Sequence, residues 1–258
     1  MSGPLIAVWD FDGTLGHRRH GTWAECLLEI LDVQQPDHTW TFPQIFEALA
    51  RGFPWHEPRL PHPHLNAPDA WWDHVTQVVA TALTGLGMDN EEATTAAHAT
   101  RRTYTDRTAW SLYPQALDVL DTLTQAGWQH ALLTNHVPEL PDILDSLGLT
   151  SRLRAVVNSA ASGHEKPHPE AFRLARAAAP PHACLVMIGD NPDADIKGAT
   201  RAGIDAIWVR RDEHTDVPDL ASAGRLLLRQ ALLPRQEGQD VREVPPLPTT
   251  CPAANVIR

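Results

Sequence analysis

Five short, mostly apolar runs, each stopping abruptly at a polar or turn residue, constrain this chain more than any other feature. Leu5 to Trp9 stops at Asp10, Gln129 to Leu133 at Thr134, and Ala155 to Val157 at Asn158. Cys184 to Ile188 stops at Gly189 and Asp190, and Ala206 to Val209 at Arg210. They lack the sustained apolar/polar alternation of a half-solvated strand, so they read as strands buried on both faces. Helical stretches lie between them. Pro114 to Ala126 carries Leu117, Leu120 and Leu123 at threefold spacing and stops at Gly127. Leu140 to Leu147 stops at Gly148, Pro169 to Ala179 before Pro180, and Ala194 to Ala202 at Gly203. Proline near a start and glycine just past an end is the expected helix asymmetry.

Strand and helix in alternation predict an α/β fold with a Rossmann-like parallel sheet covered on both faces. One such core needs about 130–150 residues, whereas the chain has 258. The surplus is concentrated after the first run. From His17 to about Trp110 no strand is evident, and Thr22-Trp-Ala-Glu25 reads as a capping box opening a helix through about Leu31. Pro43 to Arg51, Pro68 to Leu86 and Glu91 to Asp106 read as further helices, with a Pro-rich connection from Gly52 to His64. The expected division is therefore a core of residues 1–16 and 111–233 with an inserted all-helical cap at 17–110. A last helix spans Leu220 to Leu233, and residues 234–258, with five prolines, form an extended tail.

Composition excludes several classes. No stretch approaches 18 consecutive apolar residues, so a membrane span is not expected. The net charge of −11 argues against nucleic acid and anionic membrane as partners. The amino terminus lacks a basic then apolar signal pattern. Cys26, Cys184 and Cys251 are few and widely spaced, giving no disulfide framework and suiting a cytoplasmic setting.

The chemistry-bearing residues gather at the ends of the runs, where open α/β sheets bind ligands. Asp10 and Asp12 are two apart on an extended segment, so both can face one site, and Gly13 allows a sharp turn. Two carboxylates this close repel unless a cation or proton stands between them. Asp190, Asp193 and Asp195 add three more at the end of the fourth run. Carboxylate oxygens combined with a substrate phosphate are what Mg²⁺ prefers. Thr134-Asn135 ends the second run, and Lys166-Pro167 precedes a helix. Lys166 is one of two lysines among 21 basic residues, the other being Lys197, which favours a specific task for its compact charge.

These four motifs, in this order, resemble the haloacid dehalogenase superfamily: DxDGT at 10–14, Thr134, Lys166 and GDxxxxD ending at Asp195. The resemblance covers about residues 5–210, and the helical insertion is similar to the cap of the phosphoglycolate-phosphatase and haloacid-dehalogenase branch. It implies a hydrolase, a Mg²⁺-dependent phosphatase of a small phosphorylated metabolite, acting as a monomer or homodimer. It implies that Asp10 is the nucleophile that forms an aspartyl-phosphate, and that Asp12 is the general acid and then base. Mg²⁺ would be held by Asp10, Asp12 through its main-chain carbonyl, and Asp190, with Asp193 or Asp195 beside it. Gly13, Thr134, Asn135 and Lys166 would bind the phosphate, with Thr134 and Lys166 also catalytic. A sugar-phosphate phosphomutase or a 2-haloacid dehalogenase are the alternatives.

Other residues admit two readings. Asp193 and Asp195 could instead favour a helix start, and Lys197 reads as a surface residue. His17-Arg-Arg-His20 could contact the substrate or form a solvated linker. Trp55, His56, His62, His64, Trp71 and Trp72 read first as cap packing, and a zinc site on His62 and His64 lacks the usual spacing. His136, directly after Thr134-Asn135, lies at the site edge and could touch substrate or not. The cap is expected to open and close about hinges near residues 16–21 and 110–114.

Overall fold

The computed structural model describes residues 3–209 and 217–232. Its centre is a five-stranded parallel sheet built from β1 (Leu5–Trp9), β4 (Trp128–Thr134), β5 (Leu153–Asn158), β6 (Cys184–Gly189) and β7 (Asp205–Trp208), in the order β5-β4-β1-β6-β7. All five expected strands are present. The central strand β1 alternates its side chains between two cores, as a period of two requires. Ile6 and Val8 pack with Leu133, Met187 and Phe172 on one face, and Ala7 and Trp9 with Leu132, Ile188 and Leu120 on the other. Because both faces are covered, truncating a residue such as Leu132 to alanine is expected to cost about 2–5 kcal/mol.

The helices of the sheet layer are α5 (Ala116–Gln125), α6 (Leu140–Ser146), α7 (Ser159–Ser162), α8 (Pro169–Ala177), α9 (Gly198–Arg201) and α10 (Leu220–Leu232). One differs from expectation. The segment after β6 begins as a π-turn at Pro192–Lys197 and becomes α-helical only at Gly198. Asn191 caps it, its side chain accepting from Asp193 N and Ala194 N. The tail at 234–258, and Arg210, lie outside the described residues.

Between β1 and β4 stand α1 (Trp23–Gln34), α2 (Phe42–Ala48), α3 (Pro68–Gly85) and α4 (Asn90–Tyr104). The capping box at Thr22 and Glu25 is formed in both directions. Trp71, Trp72, Val75, Val79 and Leu83 place one face of α3 in the interior, where Trp23 stacks on Tyr104 at 4.0 Å. The Trp-rich patch is thus largely interior packing. His62 and His64 lie 6.1 Å apart, and no metal-holding group among the described residues includes them.

Two features correct the sequence expectations. The segment from His17 to Trp110 is not strand-free: β2 (Gly16–Arg18) and β3 (Trp110–Leu112) pair antiparallel where the chain leaves and re-enters the sheet layer. Strands of three residues that include Arg18 and Ser111 carry no periodic signal. Cys184 is disulfide-bonded, whereas Cys26 is a buried free thiol.

Candidate active site

The site forms at the carboxyl end of β1, the strand flanked by β4 on one side and β6 on the other. The strand registers place Trp9 beside both Leu132 and Ile188, so the residues that follow each strand come together. Asp10 follows β1, Thr134 ends β4, and Asp190 follows β6. Asp10 and Thr134 are buried. The turn after Asp10 requires glycine: Gly13 has φ +90°, and a Cβ there would lie 2.5 Å from an Asp190 carboxylate oxygen. Gly13 therefore lets the first loop close against the last one.

Lys166 reaches this cluster from the loop before α8. Its Nζ donates to Asp10 Oδ1 at 2.7 Å and to Asp195 Oδ1 at 2.6 Å. Burial alone would lower the Lys166 ammonium, but Asp10 and Asp195 outweigh it and hold its pKa above the ordinary value. The loop is fixed by Asn135. Its Nδ2 donates to the Lys166 carbonyl at 3.0 Å, and its Oδ1 accepts from Lys166 N at 2.7 Å. Asn135 thus spends its side chain on positioning the lysine.

The other four aspartates of the two acidic motifs differ in their surroundings. Asp195 is fully buried, and its second oxygen accepts from Asn191 N at 3.0 Å. Asp190 accepts from Thr14 Oγ1 at 3.2 Å, while its carbonyl accepts from Trp208 Nε1. Burial, then the charge of Asp10, pushes the Asp190 carboxyl up to about 6. Burial likewise pushes Asp195 up, against the pull of Lys166. Asp193 is exposed and pairs with Lys197 at 2.6 Å, a surface i,i+4 pair. Asp12 is only partly accessible; burial, followed by the charges of Asp10 and Asp190, pushes its carboxyl up to about 8.

Carboxylate oxygens of Asp10, Asp190 and Asp195 lie within 4.8 Å of one another. Lys166 neutralises one charge of the three. The remaining negative charge, carried on hard oxygen donors, fits a divalent cation such as Mg²⁺.

Sequence reasoning misplaced Arg18 and overlooked Glu139. Arg18 is buried and holds Glu29 of α1 through both carboxylate oxygens, at 3.0 and 2.8 Å, and the Thr103 carbonyl at 3.2 Å. It is neither substrate-exposed nor a solvated linker. Glu139, just before α6, accepts from Trp72 Nε1 at 2.9 Å and from Arg101 Nε at 2.9 Å, tying α3 and α4 to the sheet layer. A second tie runs from His62 N to the Gly163 carbonyl at 2.7 Å. The sequence signals for these were a lone arginine pair and one glutamate, neither distinguishable from surface charge.

Residues 5–203 match the haloacid dehalogenase-like hydrolase family, and the chain belongs to it. Among curated proteins it is similar to the phosphoserine phosphatase of Thermus thermophilus, 37% identical over 62% of this chain and 65% of that one. The chain therefore spans slightly less than two thirds of that relative's length. Among solved structures, the magnesium-bound YfnB protein of Bacillus subtilis has a TM-score of 0.67 and 20% identity, over 88% of this chain and 99% of that one. A 2-haloacid dehalogenase of Pseudomonas syringae has a TM-score of 0.60 and 22% identity, over 88% and 99%. At these identities the structural likenesses establish the fold.

Proposed function

We propose that the chain is a Mg²⁺-dependent phosphatase of small phosphorylated metabolites, working through an aspartyl-phosphate on Asp10. The observation that carries this reading is the buried Lys166 ammonium, 2.7 Å from Asp10 and 2.6 Å from Asp195, beside Asp190. Asp10, Asp190 and the Asp12 carbonyl would hold the metal, with Asp195 beside it fixing Lys166. Mg²⁺ supplies the charge that lets an anionic nucleophile approach a phosphoryl group. Asp10 attacks phosphorus. Asp12, whose carboxyl at about 8 keeps a proton at neutral pH, gives that proton to the leaving oxygen. It then takes one from the water that hydrolyses the intermediate. Thr134, the Asn135 main-chain N–H and Lys166 hold phosphoryl oxygens while charge moves.

The thermophilic phosphoserine phosphatase relative supports a phosphate ester as substrate. A dehalogenase gains nothing from Asp12, because a halide leaves without a proton. A phosphomutase would share every one of these residues and differ in keeping the phosphate.

In this reading residues 17–110 form a lid over the core of 1–16 and 111–233. The test is release of phosphate from p-nitrophenyl phosphate with Mg²⁺. Asp10→Asn and EDTA should each abolish it. Release that survives both overturns the reading, chloride release from 2-chloropropionate favours the dehalogenase, and a product that stays phosphorylated favours the mutase.

A further inference from the structure

His136 follows Thr134-Asn135 directly and is 4% exposed, yet neither ring nitrogen has a hydrogen-bond partner. The Val137 main chain favours the protonated ring, but no hydrogen bond of normal geometry joins them. Its main-chain N is anchored on Ser159 Oγ at 3.3 Å, so the residue is held in place while its imidazole is left unsatisfied. Elsewhere this fold does satisfy a buried imidazole. His130, 1% exposed, accepts from Trp9 Nε1 at 3.1 Å and bonds the Leu120 carbonyl at 2.9 Å. Buried polar groups left unpaired in a native protein call for an explanation, and a ligand is one.

The surroundings show which ligand. The His136 ring meets Trp110 at 4.9 Å, Phe11 at 5.4 Å and Tyr104 at 6.3 Å. Phe11 stands between Asp10 and Asp12, and the charges of these two aspartates reach His136 and Tyr104 respectively. These contacts set the ring beside the segment that carries Asp10 and Asp12. Tyr104 is also met by Arg18 at 5.7 Å, and Arg18 Nε is a second buried donor without a partner. Burial holds the imidazole neutral at physiological pH, pushing its pKa down to about 4. A neutral imidazole offers one donor and one acceptor, on opposite edges of the ring. A carboxylate would use only the donor and an ammonium only the acceptor. Hydroxyls use both. Arg18 does not change this balance, because Glu29 already matches its charge.

We propose that His136 is a specificity-determining residue that hydrogen-bonds the leaving group, selecting phosphate monoesters of small polyhydroxylated alcohols. The inference rests on the phosphatase reading and deepens it.

The test compares kcat/KM for glycerol 1-phosphate and n-propyl phosphate, which differ only in hydroxyls, with phosphoserine as the charged arm and p-nitrophenyl phosphate as control. The full chain with Mg²⁺ should prefer glycerol 1-phosphate over n-propyl phosphate by at least about tenfold. His136→Phe should shrink that ratio to below about threefold, and His136→Gln, which keeps a donor and an acceptor, should restore part of it. A wild-type ratio near one, a ratio unchanged in His136→Phe, or a preference for phosphoserine overturns the assignment even where p-nitrophenyl phosphate is hydrolysed. If His136→Phe does not fold, the wild-type ratio and His136→Gln decide. No release from any ester removes the phosphatase reading, and this assignment with it.

Discussion

Asn135 and Lys166 grip each other in both directions, side-chain amide to main-chain carbonyl at 3.0 Å and main-chain amide to side-chain oxygen at 2.7 Å. The residues are far apart in sequence, so this pair joins the end of β4 to the loop that carries the site's one buried lysine. Asn135→Ala should loosen the loop, costing about 1–3 kcal/mol of stability from the orphaned main-chain groups. It should also lower kcat for p-nitrophenyl phosphate by about tenfold or more through misplacement of the ammonium. A lower melting temperature with kcat intact would show that the clamp is structural only.

Lys166 shares its charge between two buried carboxylates. Removing it in Lys166→Met should destabilise by about 3–5 kcal/mol in metal-free protein, because the charge left behind has no partner. Adding Asp195→Asn to that variant should recover part of the loss, since the second substitution removes the orphan. Denaturant unfolding of both single variants and the double variant measures the coupling. Strict additivity would contradict the ion-pair account.

Metal and pH should act on stability together. Asp12, Asp190 and Asp195 all have folded-state pKa values raised above the unfolded carboxylate value, two of them to about 8 and about 6. A raised carboxyl binds protons more tightly in the folded state, so its contribution is full at low pH. That contribution is lost as pH climbs from about 4 through the folded values. Metal-free protein should therefore weaken between about pH 4 and 8, and Mg²⁺ should reverse this by supplying a positive charge. Thermal melts with and without Mg²⁺ should show a larger stabilisation at pH 8 than at pH 5. Equal shifts at both would argue against a cation among these carboxylates.

Glu139 is the acceptor for both Trp72 and Arg101. Glu139→Ala should release α3 and α4 from the sheet layer and raise amide hydrogen exchange in those helices more than in α5. With a lid that closes over the site, KM should rise severalfold in the same variant. Unchanged exchange in α3 would mean that interior packing alone holds the helices down.

Much of this was legible in the sequence because the sheet signals are local. Each buried strand is a short apolar run, and Asp10, Thr134 and Asp190 sit where runs stop, so these three could be placed without coordinates. The insertion's helices showed in their caps and spacing. What stayed hidden depends on partners distant in the chain. Arg18 reads like any charged residue until Glu29 and the Thr103 carbonyl close around it. The role of the Asn135 side chain is set by a loop around thirty positions away. The π-turn before Gly198 is invisible to a pattern that expects helical spacing from Ala194 onward.

The antiparallel pairing of Gly16–Arg18 with Trp110–Leu112 has a further consequence. Paired antiparallel residues sit about 5 Å apart, so the excursion from 19 to 109 begins and ends at nearly one point on the sheet layer. To the path of the chain through the sheet it is equivalent to a short hairpin loop. A segment of any length could be grafted onto that two-stranded stem without moving β1 or β4, leaving the sheet-edge carboxylates in place while the inserted surface is exchanged like the bit of a drill.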